Sequence, residues 1–334
     1  MRTGLTMQID IYCHLIPPKL KDIWFERQKT IRELRTNVCL YDLDARFRVM
    51  DRYPDLIQVL TPPGATPDEL AGPGGGVDLA RRINDELAEL VEKYPYRFAG
   101  AAAVLPIADI DASLKEIDRA INELKLRGIL LRIPINGKPA DRPDFFPIYQ
   151  KMCELNLPIW LHPHKNPAVP DYPDETESKY LIWHMWGLMV ESTNTMTRLV
   201  FSGVMEKYPE LKFIIHHCGA MVPYFGERIT NHYLQSEMRN RTNFTAGLRH
   251  RPVDYFRRFF TDTALIGNTS ALMCAYEFFG PDQILFGTDA PFDAQLGDYG
   301  TKRTIEAVSR MSIADADKKK IFEENTRKLL RLPA

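Results

Sequence analysis

The chain has 334 residues, with 43 basic and 44 acidic side chains and a formal net charge of -1. That near-balance argues against a dedicated nucleic-acid binder, which carries a basic excess or a Lys/Arg stripe, and 45% hydrophobic with 26% charged residues excludes a disordered or fibrous chain. No apolar run reaches the length of about 18 residues that a membrane span needs. The opening residues 1–7 lack the apolar segment of a signal peptide, and five cysteines without C-x-x-C spacing suggest reduced thiols, so a cytoplasmic enzyme is the expectation.

In chain order, short strand-like runs fall at Gln8–His14, Leu56–Leu60, Phe98–Val104, Gly128–Ile133, Pro158–His162, Lys212–His217, Arg258–Thr263 and Gln283–Asp289. Between them the apolar spacing predicts helices over Val77–Lys93, Ile110–Leu126, Phe145–Leu155, Ser192–Tyr208, Val222–Glu237, Thr269–Phe279 and Thr304–Arg310. A last helix is expected over Asp315–Leu330. Strands alternating with helices imply a parallel sheet, and eight strands in a chain of this length favour a closed (β/α)8 TIM barrel over an open doubly wound sheet. No G-x-G-x-x-G follows a strand, and Gly72-Pro73-Gly74-Gly75-Gly76 reads as a surface loop. Lys19–Asp44 and Lys165–Met185 fit the pattern poorly and are expected to be long loops over the barrel mouth. Without linker composition or repeats, one domain over residues 7–334 is expected.

The chemistry-bearing residues cluster by position. Catalysis in such barrels sits where strands end, at the carboxyl face. The first strand ends in Tyr12-Cys13-His14, the fifth in His162-Pro163-His164, the sixth in His216-His217 and the eighth in Asp289. A lone histidine is usually a satisfied polar residue, which is the reading for His184, His232 and His250. The same placement at four strand ends weakens that explanation and describes a catalytic zinc or similar divalent-metal site.

The segment Met7-Gln8-Ile9-Asp10-Ile11-Tyr12-Cys13-His14-Leu15-Ile16-Pro17 resembles the opening of the amidohydrolase superfamily, in its aminocarboxymuconate semialdehyde decarboxylase branch. Arg46-Phe47-Arg48-Val49-Met50-Asp51, Tyr94-Pro95-Tyr96-Arg97-Phe98-Ala99-Gly100, Phe146-Pro147-Ile148-Tyr149, the Phe201–Lys212 segment and Phe286-Gly287-Thr288-Asp289-Ala290-Pro291-Phe292 continue the resemblance in register. The resemblance implies metal ligands at His14, His162 and Asp289, a catalytic histidine at His217 and a second catalytic role for Asp289. His216 is expected on the opposite strand face, in a structural role. A substrate-gripping arginine falls near Arg35. His164 takes the place of a pocket aromatic and implies substrate contact. His184 and Trp186 lie where relatives close the pocket with aromatics, though packing of that loop is an equal reading.

One position departs from the pattern. The family opens with His-x-His or Glu-x-His, and this chain has Tyr12. A phenol with an ordinary pKa near 10 is a poor ligand unless the metal deprotonates it. Three arrangements follow: a metal on His14, His162 and Asp289 alone, with Tyr12 turned to substrate or water; His164 as an added ligand; or a scaffold without metal. The resemblance implies one divalent metal, zinc first and manganese or another ion as alternatives. It also implies a small carboxylic acid as substrate and a homodimer or larger homo-oligomer. Neither nucleic acid nor membrane is expected as a partner. The activity implied is metal-dependent, non-oxidative decarboxylation of an aromatic or conjugated unsaturated carboxylic acid. Hydrolysis or hydration in the same site is the alternative, and a metal-free homologue with a binding role a second one.

Overall fold

The computed structural model describes residues 7–28, 32–239 and 247–333. Residues 29–31 of the expected loop Lys19–Asp44, and the expected boundary at residue 334, lie outside them. Seven strands stand close to where the apolar runs predict them: β1 (Gln8–His14), β2 (Leu56–Thr61), β3 (Phe98–Ala101), β4 (Ile129–Ile133), β5 (Ile159–Pro163), β6 (Phe213–Ile215) and β7 (Phe260–Thr261). They pair in parallel as β1-β2-β3 and β4-β5-β6-β7.

Single bridges close the circle. Ala103 pairs with Ile129 between β3 and β4, Thr261 with Ile284 after β7, and Cys13 with Ala290 back to β1. The expected eighth strand, Gln283–Asp289, therefore completes the TIM barrel by isolated bridges and has no continuous ladder. Its backbone is held instead by bonds such as Ile11 N to Phe286 O (2.9 Å) and Asp289 N to Tyr12 O (2.9 Å).

Alternation along the strands divides the apolar residues between two cores. Ile9, Ile11, Val59, Ala102, Trp160, Ile214 and Leu285 fill the barrel, while Ile129, Leu131, Ile133, Leu161 and Phe213 face the surrounding helices. The helix Gly76–Lys93 shows the matching helical spacing, burying Leu79, Ile83, Leu87 and Leu90. Each such side chain, fully buried, contributes roughly 1.5–3 kcal/mol of transfer free energy.

Several expected elements differ: the helix expected over Thr304–Arg310 spans Asp298–Ser309, the one expected over Asp315–Leu330 is interrupted by a π turn at Lys320–Glu324, and two more are instructive. The loop between β1 and β2 carries short helices at Lys21–Arg27 and Glu33–Thr36, pinned where the buried Trp24 donates its indole N–H to Pro63 O at 3.1 Å. The expected helix Ser192–Tyr208 starts earlier, at Gly187, runs to Phe201, and breaks at Gly203, whose φ of 82° only glycine adopts cheaply. Among the described residues no helix is long and apolar enough to cross a membrane.

Candidate active site

Four of the strand-end residues meet at one place. His14 Nε2 lies 3.2 Å from Asp289 Oδ1 and 3.4 Å from His162 Nε2, and His217 Nε2 lies 3.5 Å from Asp289 Oδ2. The tautomers of His14 and His162 follow from their other nitrogens. His14 Nδ1 faces Thr61 O at 3.2 Å, and His162 Nδ1 faces Pro163 O at 3.0 Å. A carbonyl oxygen only accepts, so each Nδ1 carries a hydrogen and Nε2 is the nitrogen that each ring turns inward. Burial, then the neighbouring His14 and His216, pull the His162 pKa well below the usual imidazole value, so this ring is neutral.

His14 Nε2 therefore stands between His162 Nε2 at 3.4 Å and Asp289 Oδ1 at 3.2 Å, and Asp289 Oδ1 is buried without a hydrogen-bond partner. Such a donor set can seat a cation. Donor atoms held about 2.0–2.2 Å from a tetrahedral ion are roughly 3.3–3.6 Å apart, which matches these separations. The donors run as an open row from His162 through His14 to Asp289; among the described residues no three or more His, Cys, Asp or Glu side chains are already closed round one point. The chemistry of the set fits a divalent ion.

Burial opposes ionisation of Asp289, but His14 and His217 outweigh it and hold the carboxyl well below its usual range. For His217 burial disfavours the charge, while Asp289 and then Asp262 raise its pKa above the ordinary imidazole value. His217 is thus the basic member of the cluster, with an ionised carboxylate beside it.

The backbone that presents His217 is unusual. His217, Cys218, Gly219 and Ala220 all have positive φ (57°, 57°, 74° and 52°), so the chain leaves β6 in a left-handed run that costs about 1–3 kcal/mol per non-glycine residue. Asp262 over-determines it. Its buried carboxylate accepts from His216 Nδ1 (2.8 Å), His217 N (3.2 Å), Cys218 N (3.0 Å) and Ala264 N (3.0 Å). Because β6 ends at Ile215, strand alternation no longer governs the next two residues. The expectation that His216 points away from the site is corrected: its ring stacks on Tyr12 at 3.5 Å and stands edge-on to His162 at 5.7 Å.

Tyr12 is fully buried among the imidazoles, edge-on to His14 (4.8 Å), His162 (5.9 Å) and His217 (5.7 Å). Burial, then the carboxylates of Asp289 and Asp262, push its phenol pKa well above the usual value and keep it neutral. Room for it comes from Gly287, where a Cβ would stand 3.2 Å from Tyr12 Cβ and 2.9 Å from Asp262 Cβ. Phe292 covers His14 edge-on at 5.2 Å.

The remaining expected site residues lie away from this cluster. His164 is half-buried beside Arg132 and Glu69; burial, then the Arg132 charge, lower its pKa to about 4. Arg35 is exposed, its guanidinium over the Phe25 ring (5.7 Å) and donating to Phe25 O. His184 is exposed and edge-on to Trp183 at 5.1 Å, and Trp186 is also exposed. Sequence reading missed Asp262 and Asp10. The latter is buried, with its carboxyl pushed up to about 6 by burial, and accepts from Thr288 N (3.0 Å) and Tyr12 N (3.2 Å). Each carried a signal, as an acid inside or at the end of an otherwise apolar strand run.

A barrel with imidazoles and a carboxylate gathered at its strand ends defines the class as metal-site TIM-barrel enzymes. The chain belongs to the amidohydrolase family, whose family model matches residues 9–332. It is 32% identical over 320 residues to a gamma-resorcylate decarboxylase of Polaromonas sp. strain JS666, covering 92% of this chain and 93% of that protein. To a 2-amino-3-carboxymuconate-6-semialdehyde decarboxylase of Dictyostelium discoideum it is 28% identical, covering 92% and 87%. Among solved structures, a dihydroxybenzoic acid decarboxylase of Polaromonas sp. JS666, with manganese and the inhibitor 2-nitroresorcinol bound, superposes with a TM-score of 0.77 at 26% identity, covering 98% of this chain and 97% of that one.

Proposed function

We propose that this chain is a metal-dependent, non-oxidative decarboxylase of an aromatic or conjugated unsaturated carboxylic acid. The observation that carries the reading is the row of three inward-facing donor atoms of His14, His162 and Asp289 with basic His217 at its end, in a chain similar along nearly its whole length to decarboxylases. His14, His162 and Asp289 would hold one divalent ion, zinc or manganese; manganese is what the related Polaromonas structure binds. The bound ion supplies a positive centre that fixes the substrate carboxylate and stabilises charge developing as CO2 departs.

The protein's own groups do the rest. Loss of CO2 breaks one C–C bond and leaves its electron pair on carbon, which takes up one proton; no oxidant or reductant is consumed. His217 holds that proton on Nε2, 3.5 Å from Asp289 Oδ2, and releases it to the carbon directly or through the carboxylate. Asp262 aims His217 by binding the backbone of the turn that carries it. Tyr12, neutral and packed among the rings, offers a hydroxyl and no anionic ligand, so three protein donors serve the ion.

The test is CO2 release from gamma-resorcylate and a panel of hydroxybenzoic and conjugated acids by protein loaded with manganese or zinc. Metal-dependent CO2 formation without added oxidant is the expected result. Consumption of an ester, lactone or double bond with no CO2 would instead establish hydrolysis or hydration in the same site.

A further inference from the structure

Arg46 lies on the inner face of the helix Leu43–Met50, buried with Ala45 and Met50 and only 3% exposed. Its guanidinium bonds neutral acceptors: Nη1 donates to His14 O (2.7 Å) and Cys39 O (3.2 Å), and Nε to Gln58 Oε1 (2.8 Å). Nη2 is buried and has no acceptor among the described residues. A cation buried against neutral groups opposes folding, and an apolar side chain would pack this helix at least as well. The three bonds therefore have to account for it.

The bond to His14 answers a local shortage of donors. β1 ends at His14, and His14 N donates to Ala290 O at 2.6 Å, so this peptide edge faces the eighth segment. The N–H and C=O of a strand residue point to the same side, so His14 O looks there for its donor. Pro291 follows Ala290 and has no N–H, and Phe292 N is taken by Asp289 O at 3.0 Å. A buried carbonyl has to be satisfied from elsewhere, and Arg46 reaches it. A second donor from the same loop holds the other chain end: Asn37, 4% exposed, gives Nδ2 to Pro291 O at 2.7 Å. Between the two, Ile16 N donates to Leu40 O at 2.7 Å. The stretch 37–46 thus grips the backbone at His14 and just past Asp289, two candidate metal ligands whose Nε2 and Oδ1 stand 3.2 Å apart.

We infer that Arg46 is a positioning residue for the metal site, with Asn37 as its counterpart: by gripping His14 O and Pro291 O they fix the spacing of His14 Nε2 and Asp289 Oδ1 that a divalent ion requires. The inference rests on the metal-site reading of His14, His162 and Asp289. A brace that served the fold alone would stabilise the loop between β1 and β2 and leave the ion's affinity unaffected.

The experiment is manganese titration of metal-free protein, read by electron paramagnetic resonance, with chemical denaturation of each metal-free variant alongside. Arg46→Lys keeps a buried cation but cannot reproduce the planar fork that reaches three acceptors. It is expected to weaken manganese binding about tenfold, the lower end for partners that orient a metal ligand, and to alter the spectrum of the bound ion. Asn37→Ala removes one neutral hydrogen bond and should weaken binding about threefold. This variant decides the matter should Arg46→Lys fail to fold. Trp24→Phe is the control: it removes another buried anchor of the same loop, the indole bond to Pro63 O, which touches no ligand residue. It should lower stability yet leave manganese affinity and spectrum at the wild-type values. Wild-type affinity in Arg46→Lys, or in Asn37→Ala where that variant decides, overturns the assignment. So does an equal loss in Trp24→Phe, because any loosening of the loop would then suffice. A wild type that binds neither manganese nor zinc overturns the metal-site reading itself, and this inference with it.

Discussion

The floor of the barrel mouth and its rim are built by different means. On the floor, Tyr12, His14, His216 and Asp262 are almost completely excluded from solvent, and each is fixed by backbone or by another member of the cluster. On the rim, Arg35, His184 and Trp186 are exposed and lie on short helices of four residues each or next to one. Strand ends leave a side chain one direction to point, so a floor residue's role follows from its place in the barrel. A rim residue's direction depends on loop packing that tolerates change, which is where substrate choice is set.

The floor should therefore give large, separable effects. His217→Ala is expected to lower kcat by about 10²–10⁴-fold, the usual contribution of general acid–base catalysis, while metal content stays at the wild-type level. Loss of metal in that variant would make His217 a ligand. Asp262→Ala removes one buried carboxylate from three backbone N–H groups and the His216 ring. It should cost about 3–5 kcal/mol in chemical denaturation, the scale for stripping a buried charged partner. A cost within ~0.5 kcal/mol of zero would mean that the left-handed turn holds itself.

Tyr12 tests the floor's one departure from its family. Tyr12→His adds an imidazole beside His14 and should tighten manganese binding by about tenfold, the lower end of what shifts in ligand environment produce. Tyr12→Phe should leave metal affinity unchanged, because the neutral phenol donates no lone pair to the ion. Weaker manganese binding in Tyr12→Phe would show that the hydroxyl takes part in holding it.

The smallest effect belongs to half-buried His164, just past the end of β5, and it depends on pH. The folded pKa of His164 is lowered to about 4, mainly by burial, below the unfolded value of about 6.5. Above about pH 6.5 the ring is neutral in both states and contributes no pH dependence. As pH falls from there toward 4 the unfolded chain binds a proton that the folded one refuses, so stability is lost. His164→Gln should accordingly be more resistant to denaturation relative to wild type at pH 5 than at pH 8. An equal difference at both pH values would mean that the ring is solvated.

The same contrast governs what the sequence reveals. The seven strands and the bridged eighth segment, the helix Thr269–Phe279 to the residue, and the convergence of His14, His162, His217 and Asp289 are legible because alternation and strand ends constrain them. His216 was misread because β6 stops at Ile215 and the turn that follows obeys Asp262, a partner 46 residues on. Asp10 and Arg132 lie inside apolar runs, where a charge in a strand marks a paired interior group, but the pairing with Thr288 and Glu69 is visible only in three dimensions. Arg35, His184 and Trp186 were carried over by resemblance alone, and no local pattern fixes where such loop residues point.

Manganese titration of metal-free protein, followed by electron paramagnetic resonance, tests the account most directly. One ion per chain is predicted for the wild type and for His217→Ala, with binding weakened by an order of magnitude or more in His14→Ala, His162→Ala and Asp289→Asn, each of which removes one lone pair from the row. Far less than one ion per chain in the wild type with either manganese or zinc, or unchanged affinity in those three variants, would contradict it.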